Sequence, residues 1–271
     1  MSMRRFALHR ETAGFIASFV FVCLASVRDV YFGALFQRVS PFDVAVVAFS
    51  LCMIVFLPGI VRRRGDLHVL VRRPRELLGV NATAAIAWLS FFVALKTIEP
   101  LLVQVLFAGI GPISVMWIDR LFGQSSAAHL SPGERVTHFA LLGTLVVAAA
   151  VVLGGLSGLG PQPVATAALG VALATAAGIA ISANTIMCRR LNDAGVSPES
   201  LVAVRFVAAT IAAAVIGGTS SRGLFAQPWP DVVAVMIIAS LALIVFPIYV
   251  NQVGVALASP VTVRSVLASD A

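Results

Sequence analysis

The chain has 271 residues, 59% of them hydrophobic and only 11% charged, with a net charge of +7. Its mean hydropathy is +0.99. A water-soluble domain of this size needs far more polar surface, and basic residues scattered between apolar runs share no nucleic-acid-binding face.

A helix of about 17–25 apolar residues crosses a bilayer. Eight such runs are read: 14–36, 42–61, 77–95, 101–122, 139–156, 168–188, 201–217 and 232–253, with a ninth starting near Pro260. The expected fold is an all-α polytopic membrane protein. Residues 1–13 form a basic N-terminal segment, and the first run is too long for the apolar core of a cleavable signal, so it is retained.

The first span carries Arg28 and Asp29. Intramembrane ionisable residues are functional candidates. Arg28 then anchors a substrate carboxylate and Asp29 holds a proton or cation. The alternative is an outer-leaflet pair that snorkels to head groups. The basic cluster from Arg62 to Arg75, between the second and third spans, sets topology or touches anionic lipid. Trp88 lies mid-span in the third run, where it walls a cavity or joins an aromatic belt. Gln104 opens the fourth span and Pro112 sits inside it. In the sixth, Gly170, Ala174, Gly178 and Ser182 recur every fourth residue, a small-residue face for another helix of the chain or for a homodimer seam. Asn184 follows on that span. Arg205, one turn inside the seventh span, reads as snorkelling to the cytoplasm. The eighth carries Pro247, Tyr249, Asn251 and Gln252. The amides bind substrate or join helices, Tyr249 walls a cavity, and each proline kinks its helix or adapts its packing.

With the N-terminus in the cytoplasm, thirteen basic residues fall on cytoplasmic segments and Arg38, Lys96 and Arg222 outside. That split follows the positive-inside rule.

Two internal matches suggest duplication. Val39-Ser40-Pro41, Val47 and Phe49 recur 157 residues later as Val196-Ser197-Pro198, Val204 and Phe206. Pro100, Val103 and Ala108 recur 160 residues later as Pro260, Val263 and Ala268, which also pairs Gln104 with Arg264. Five spans per unit would invert the second copy relative to the first. The halves are 14–156 and an incomplete 157–271. The stretch from Pro260 to Ala271, about 12 residues, rises roughly 18 Å as a helix, so the chain is read as a fragment or its tail as bending to the interface.

In this context the sequence resembles the EamA-type carriers of the drug/metabolite transporter superfamily. The matching residues are Ala94-Leu95-Lys96-Thr97, Gly111-Pro112, and Gly133-Glu134-Arg135 followed by Gly143. The resemblance covers about residues 14–271. It implies ten helices in two inverted five-helix repeats around a central cavity, and transport of small metabolites, commonly export. Two departures stand out: Ser26-Val27-Arg28-Asp29 replaces a small Trp-Gly pattern, and the last one and a half helices are absent.

Phosphate-loop, zinc-protease and nucleophile-elbow motifs are missing, so no enzyme is expected. The four histidines are scattered, and Cys23, Cys52 and Cys188 lie in separate spans, giving no metal, cofactor or disulfide frame. The expectation is a secondary transporter, working by alternating access in the cell inner membrane, with the lipid bilayer and a small-molecule substrate as partners. Its substrate-binding residues would be Arg28, Asp29, Trp88, Gln104, Asn184, Tyr249, Asn251 and Arg264. The rival is a non-transporting membrane scaffold or regulatory subunit.

Overall fold

The computed structural model describes residues 2–121, 132–155, 163–220, 224–225, 230–258, 262–263 and 265–266. Among them the chain is mostly helical and holds no strand. The helices are α1 (Ser2–Leu35), α2 (Pro41–Arg62), α3 (Arg64–Arg72), α4 (Pro74–Thr97), α5 (Pro100–Leu121), α6 (Pro132–Leu153), α7 (Val164–Asp193), α8 (Pro198–Val204), α9 (Val207–Gly218), α10 (Pro230–Ser240) and α11 (Phe246–Leu257). A π-helical turn, Leu241–Val245, joins the last two.

Among the described residues seven stretches are long and apolar enough to cross a membrane: Thr12–Leu35, Pro41–Arg62, Pro74–Thr97, Pro100–Ile118, Val164–Asp193, Pro198–Gly218 and Val233–Leu257. The expected fifth span, 139–156, is a shorter apolar stretch, Phe139–Leu153. Gly154 and Gly155 end its helix early, and Gly155 takes φ +72°, a left-handed conformation that suits a residue without a Cβ. Outward-facing Val30, Ile54, Leu78, Leu101 and Val146 are all well exposed. So much apolar surface suits hydrocarbon as the surrounding solvent, and the helices satisfy their own backbone groups as that solvent requires.

Serine and proline set two helix starts in the same manner, with the serine capping the second amide in one and the third in the other. Ser40 Oγ accepts from the Phe42 amide and Ser197 Oγ from the Ser200 amide, and each serine precedes a proline in the first turn. Two helix ends also match. Ile98 and Ala258 leave α4 and α11 in extended conformation, and their amides bond the carbonyls of Ala94 and Gly254. The serines lie 157 residues apart and the C-caps 160 apart.

The main packing pairs are α4 with α7, α5 with α7, α1 with α11, and α2 with both α8 and α9. Small residues allow these approaches. A Cβ on Gly14 would lie 2.6 Å from Ala258 Cβ, and one on Gly170 would lie 2.7 Å from Ile98 Cγ2. The small face of α7 therefore works within the chain. Ser182 Oγ on that face donates to the Gly111 carbonyl at 3.3 Å.

Three local features depart from eight plain spans. The basic stretch after α2 forms α3, whose Asp66 and Leu70 turn inward. The seventh span breaks at Arg205 and Phe206. There Asn81 Oδ1 of α4 accepts from the Ala208 amide at 3.2 Å, a place an unbroken helix gives to the Val204 carbonyl. The eighth span widens into the π turn just before Pro247, whose missing N–H and bulky ring disfavour a regular helical ladder. Pro112 lies within a continuous α5.

Candidate functional site

Phenylalanine fills the centre of the bundle: Phe32, Phe36, Phe49, Phe91, Phe92 and Phe206 are almost wholly buried. Phe49 of α2 stacks on Phe206 with centroids 4.8 Å apart and planes 3° from parallel. Trp88 of α4 meets both, at 6.0 Å from Phe49 and 6.5 Å from Phe206.

A buried arginine lies against each partner of the Trp88–Phe206 pair. Arg28, 2% exposed, has its guanidinium carbon 5.1 Å from the Trp88 centroid, 5.4 Å from Phe91 and 5.7 Å from Phe21. Cation–π attraction gains strength in such a desolvated setting. Successive helical side chains diverge by about 100°, yet Arg28 bends back so that Nε donates to Asp29 Oδ1 at 2.7 Å. Asp29 is equally buried, so the pair does not snorkel.

Arg205 overturns its expected role. It is 2% exposed, and its guanidinium carbon lies 4.8 Å from the Phe206 centroid. Nη1 donates to Gln252 Oε1 at 2.8 Å, and Nη2 to Asn184 Oδ1 at 2.9 Å. The break after α8 and these two amide oxygens hold the cation inside the bundle in place of a solvent-facing rotamer. Asn184 is itself oriented: its Nδ2 donates to the Val80 carbonyl at 2.8 Å and to Thr83 Oγ1 at 3.0 Å. Cys188 Sγ adds a 3.4 Å contact to the same Oδ1.

The electrostatics follow. The Arg28 charge has Asp29 beside it. Arg205 has two neutral acceptors and, among the described residues, no ion pair. Amide oxygens solvate a cation but do not cancel its charge. Four buried nitrogens at this site have no hydrogen-bond partner among the described residues: Arg28 Nη1, Trp88 Nε1, Arg205 Nε and Gln252 Nε2. All four are donors. The arrangement can therefore bind a group that is rich in acceptors and carries negative charge.

The other expected site residues are placed as follows. Gln104 is buried on α5, and Asn251 is half-buried on α11 beside Gln252. Tyr249 does not wall this site: it stacks on Phe56 at 5.0 Å and donates to Glu199 Oε1 at 3.0 Å, near the start of α8. Its hydroxyl finds a carboxylate there. Arg264 lies outside the described residues. Sequence reasoning missed Arg205, Phe206 and Thr83 as site residues. The available signal was one arginine in an otherwise uncharged run, with amide side chains on two other spans.

A second polar cluster ties α3 to α8. Asp66 Oδ2 accepts from the Ser197 amide at 3.0 Å and from Ser197 Oγ at 2.6 Å, and Ser197 Oγ also meets Ser200 Oγ at 3.0 Å. Burial opposes ionisation of Asp66, but the Ser197 hydroxyl and amide, the Ser200 hydroxyl and the Arg63 charge outweigh it and hold the carboxyl below its ordinary pKa.

No family model and no curated protein matches the chain. A solved structure, described only as a crystal structure of protein, is similar at 17% identity, with a TM-score of 0.66 over 96% of this chain and 84% of that chain. At that identity the likeness concerns the fold alone.

Proposed function

We propose that this chain is a secondary transporter, an exporter of small polar metabolites such as amino acids or related carboxylates, built on the EamA-type plan. It works in the cell inner membrane with its N-terminus in the cytoplasm. The halves, 14–156 and 157–271, are inverted copies that rock about a site between them.

The observation that carries this reading is the pair of buried arginines spanned by Trp88 and Phe206. Arg28 and Trp88 come from the first half. Arg205, Asn184 and Gln252 come from the second. A charge with no ion-pair partner among the described residues, set between two halves of a membrane bundle, marks a substrate path. Inversion has its own support. Phe49 and Phe206 occupy equivalent places 157 residues apart and stack on each other. Equivalent residues touch in this way at a twofold axis. The matched caps and the paired contacts of α4 with α7 and α1 with α11 fit the same axis.

Counterflow in proteoliposomes tests the function. Vesicles are loaded with an unlabelled amino acid or organic acid, and uptake of labelled tracer is followed. The reading expects a transient overshoot for at least one carboxylate, slowed at least tenfold in Arg28→Lys, which keeps the charge beside Asp29 but loses the planar fork. Absence of overshoot for every amino acid, organic acid and sugar tried favours the scaffold.

A further inference from the structure

Taking the carrier reading as given, we infer that Arg205 and Arg28 together bind one monocarboxylate whose aromatic or apolar body lies against Trp88 and Phe206. Three observations select that class. Among the described residues the charges closest to the rings are Arg28, Asp29 and Arg205, one positive charge in excess. One carboxylate balances it, whereas a dianion leaves a buried negative charge of its own. The unpartnered nitrogens Arg28 Nη1, Trp88 Nε1, Arg205 Nε and Gln252 Nε2 all donate. They suit carboxylate oxygens. Both guanidiniums rest on aromatic rings, Arg28 on Phe21, Trp88 and Phe91 and Arg205 on Phe206, surroundings that favour a ligand with an apolar body.

Gln252 supplies the specificity of the test. Its Oε1 accepts from Arg205 at 2.8 Å. Gln252→Glu keeps the shape and the hydrogen bond but places a carboxylate on Arg205. The arginine stays satisfied, so the variant is expected to fold, and the excess charge is gone.

The experiment uses the full chain with Trp117→Phe and Trp229→Phe, which leaves Trp88 the sole remaining one of three tryptophans. The protein is held in neutral phosphatidylcholine nanodiscs, so that no anionic head group competes. Sodium benzoate is titrated at constant ionic strength, with benzamide, phenethylamine and phosphate as parallel probes. A saturable change in Trp88 fluorescence is expected with benzoate, none with benzamide or phenethylamine, and at least tenfold weaker binding of phosphate. Gln252→Glu is expected to weaken benzoate binding at least tenfold at an unchanged melting temperature, and Arg205→Gln likewise where it folds. A wild-type protein that gives no benzoate response overturns the inference, as does a Gln252→Glu protein that binds benzoate as well as wild type. Binding is read without flux. Benzoate binding with no counterflow of any solute removes the carrier and leaves the site, whereas counterflow of a neutral or cationic solute with no benzoate binding removes only this inference.

Discussion

Gly178→Ala tests the packing that brings the site together. Gly178 lies on α7 where that helix crosses α5. An added methyl would sit 2.3 Å from Ile110 Cγ2 and 2.4 Å from the Phe107 carbonyl oxygen. The isoleucine can change rotamer, but the carbonyl is helix backbone, and clearing it moves α5 by roughly half an ångström in an interior packed like a crystal. Overpacking of this kind costs about 1–3 kcal/mol. Replacing a mid-helix glycine by alanine returns about 0.8–1 kcal/mol of helix propensity. The net expectation is a loss of roughly 0–2 kcal/mol, or up to about 8 °C in melting temperature at about 2–4 °C per kcal/mol. Gly143→Ala on α6 is the matched control, because a methyl there meets nothing within 4 Å. It keeps only the propensity gain and is expected to raise the melting temperature by roughly 1–4 °C. The chain carries its own reporter. Cys52 and Cys188 are buried and Cys23 is exposed, so in a Cys23→Ser background a thiol-reactive dye reports unfolding. A Gly178→Ala protein that gains as much in melting temperature as Gly143→Ala refutes the close α5–α7 approach.

Three further outcomes follow. Arg28→Ala removes the partner 2.7 Å from Asp29 and is expected to cost about 3–5 kcal/mol. Arg28→Ala/Asp29→Ala should recover much of that in the same dye assay, and additivity of the two single losses would contradict coupling between them. Asn81→Ala removes the acceptor of the Ala208 amide. A loss of about 1 kcal/mol is expected, with no loss if the break in the seventh span is independent of α4. Asp66 has a folded-state pKa below its ordinary value of 3.8. Its contribution is therefore present above pH 3.8 and lost as pH falls through the depressed folded value. Asp66→Asn should lower the melting temperature at pH 6 and flatten its acid dependence below pH 4, and an acid limb identical to wild type would contradict the Asp66–Ser197 link.

The membrane spans were legible because hydropathy and proline-serine punctuation are local signals. Ser40-Pro41 and Ser197-Pro198 marked both helix starts, and their repetition 157 residues apart anticipated matching caps. Arg28, Asp29 and Trp88 were legible as candidates because charge or mid-span aromatic bulk stands out in an apolar run, and the structure brings all three to one place. Arg205 was not. Nothing in Val204-Arg205-Phe206-Val207 breaks a helix by itself, and no glycine or proline lies there. The break depends on Asn81 from α4, and the burial of the cation depends on Asn184 and Gln252 from two other helices. Those are tertiary facts. Tyr249 was out of reach for a related reason: its acceptor, Glu199, is 50 residues away in the chain. The early end of α6 lay in Gly154-Gly155, a plain terminator that hydropathy alone passes over.

The proposed architecture has two halves of opposite orientation meeting at Phe49 and Phe206. Its most direct test is the sidedness of the two equivalent turns. Cysteines introduced one at a time at the exposed Arg38 and Asp193, in the Cys23→Ser background where the remaining Cys52 and Cys188 are buried, are reacted with a membrane-impermeant maleimide in intact cells and in inverted vesicles. Arg38→Cys is expected to label from outside the cell and Asp193→Cys only in inverted vesicles. Labelling of both from the same side contradicts the inverted architecture, and with it the site placed between its halves.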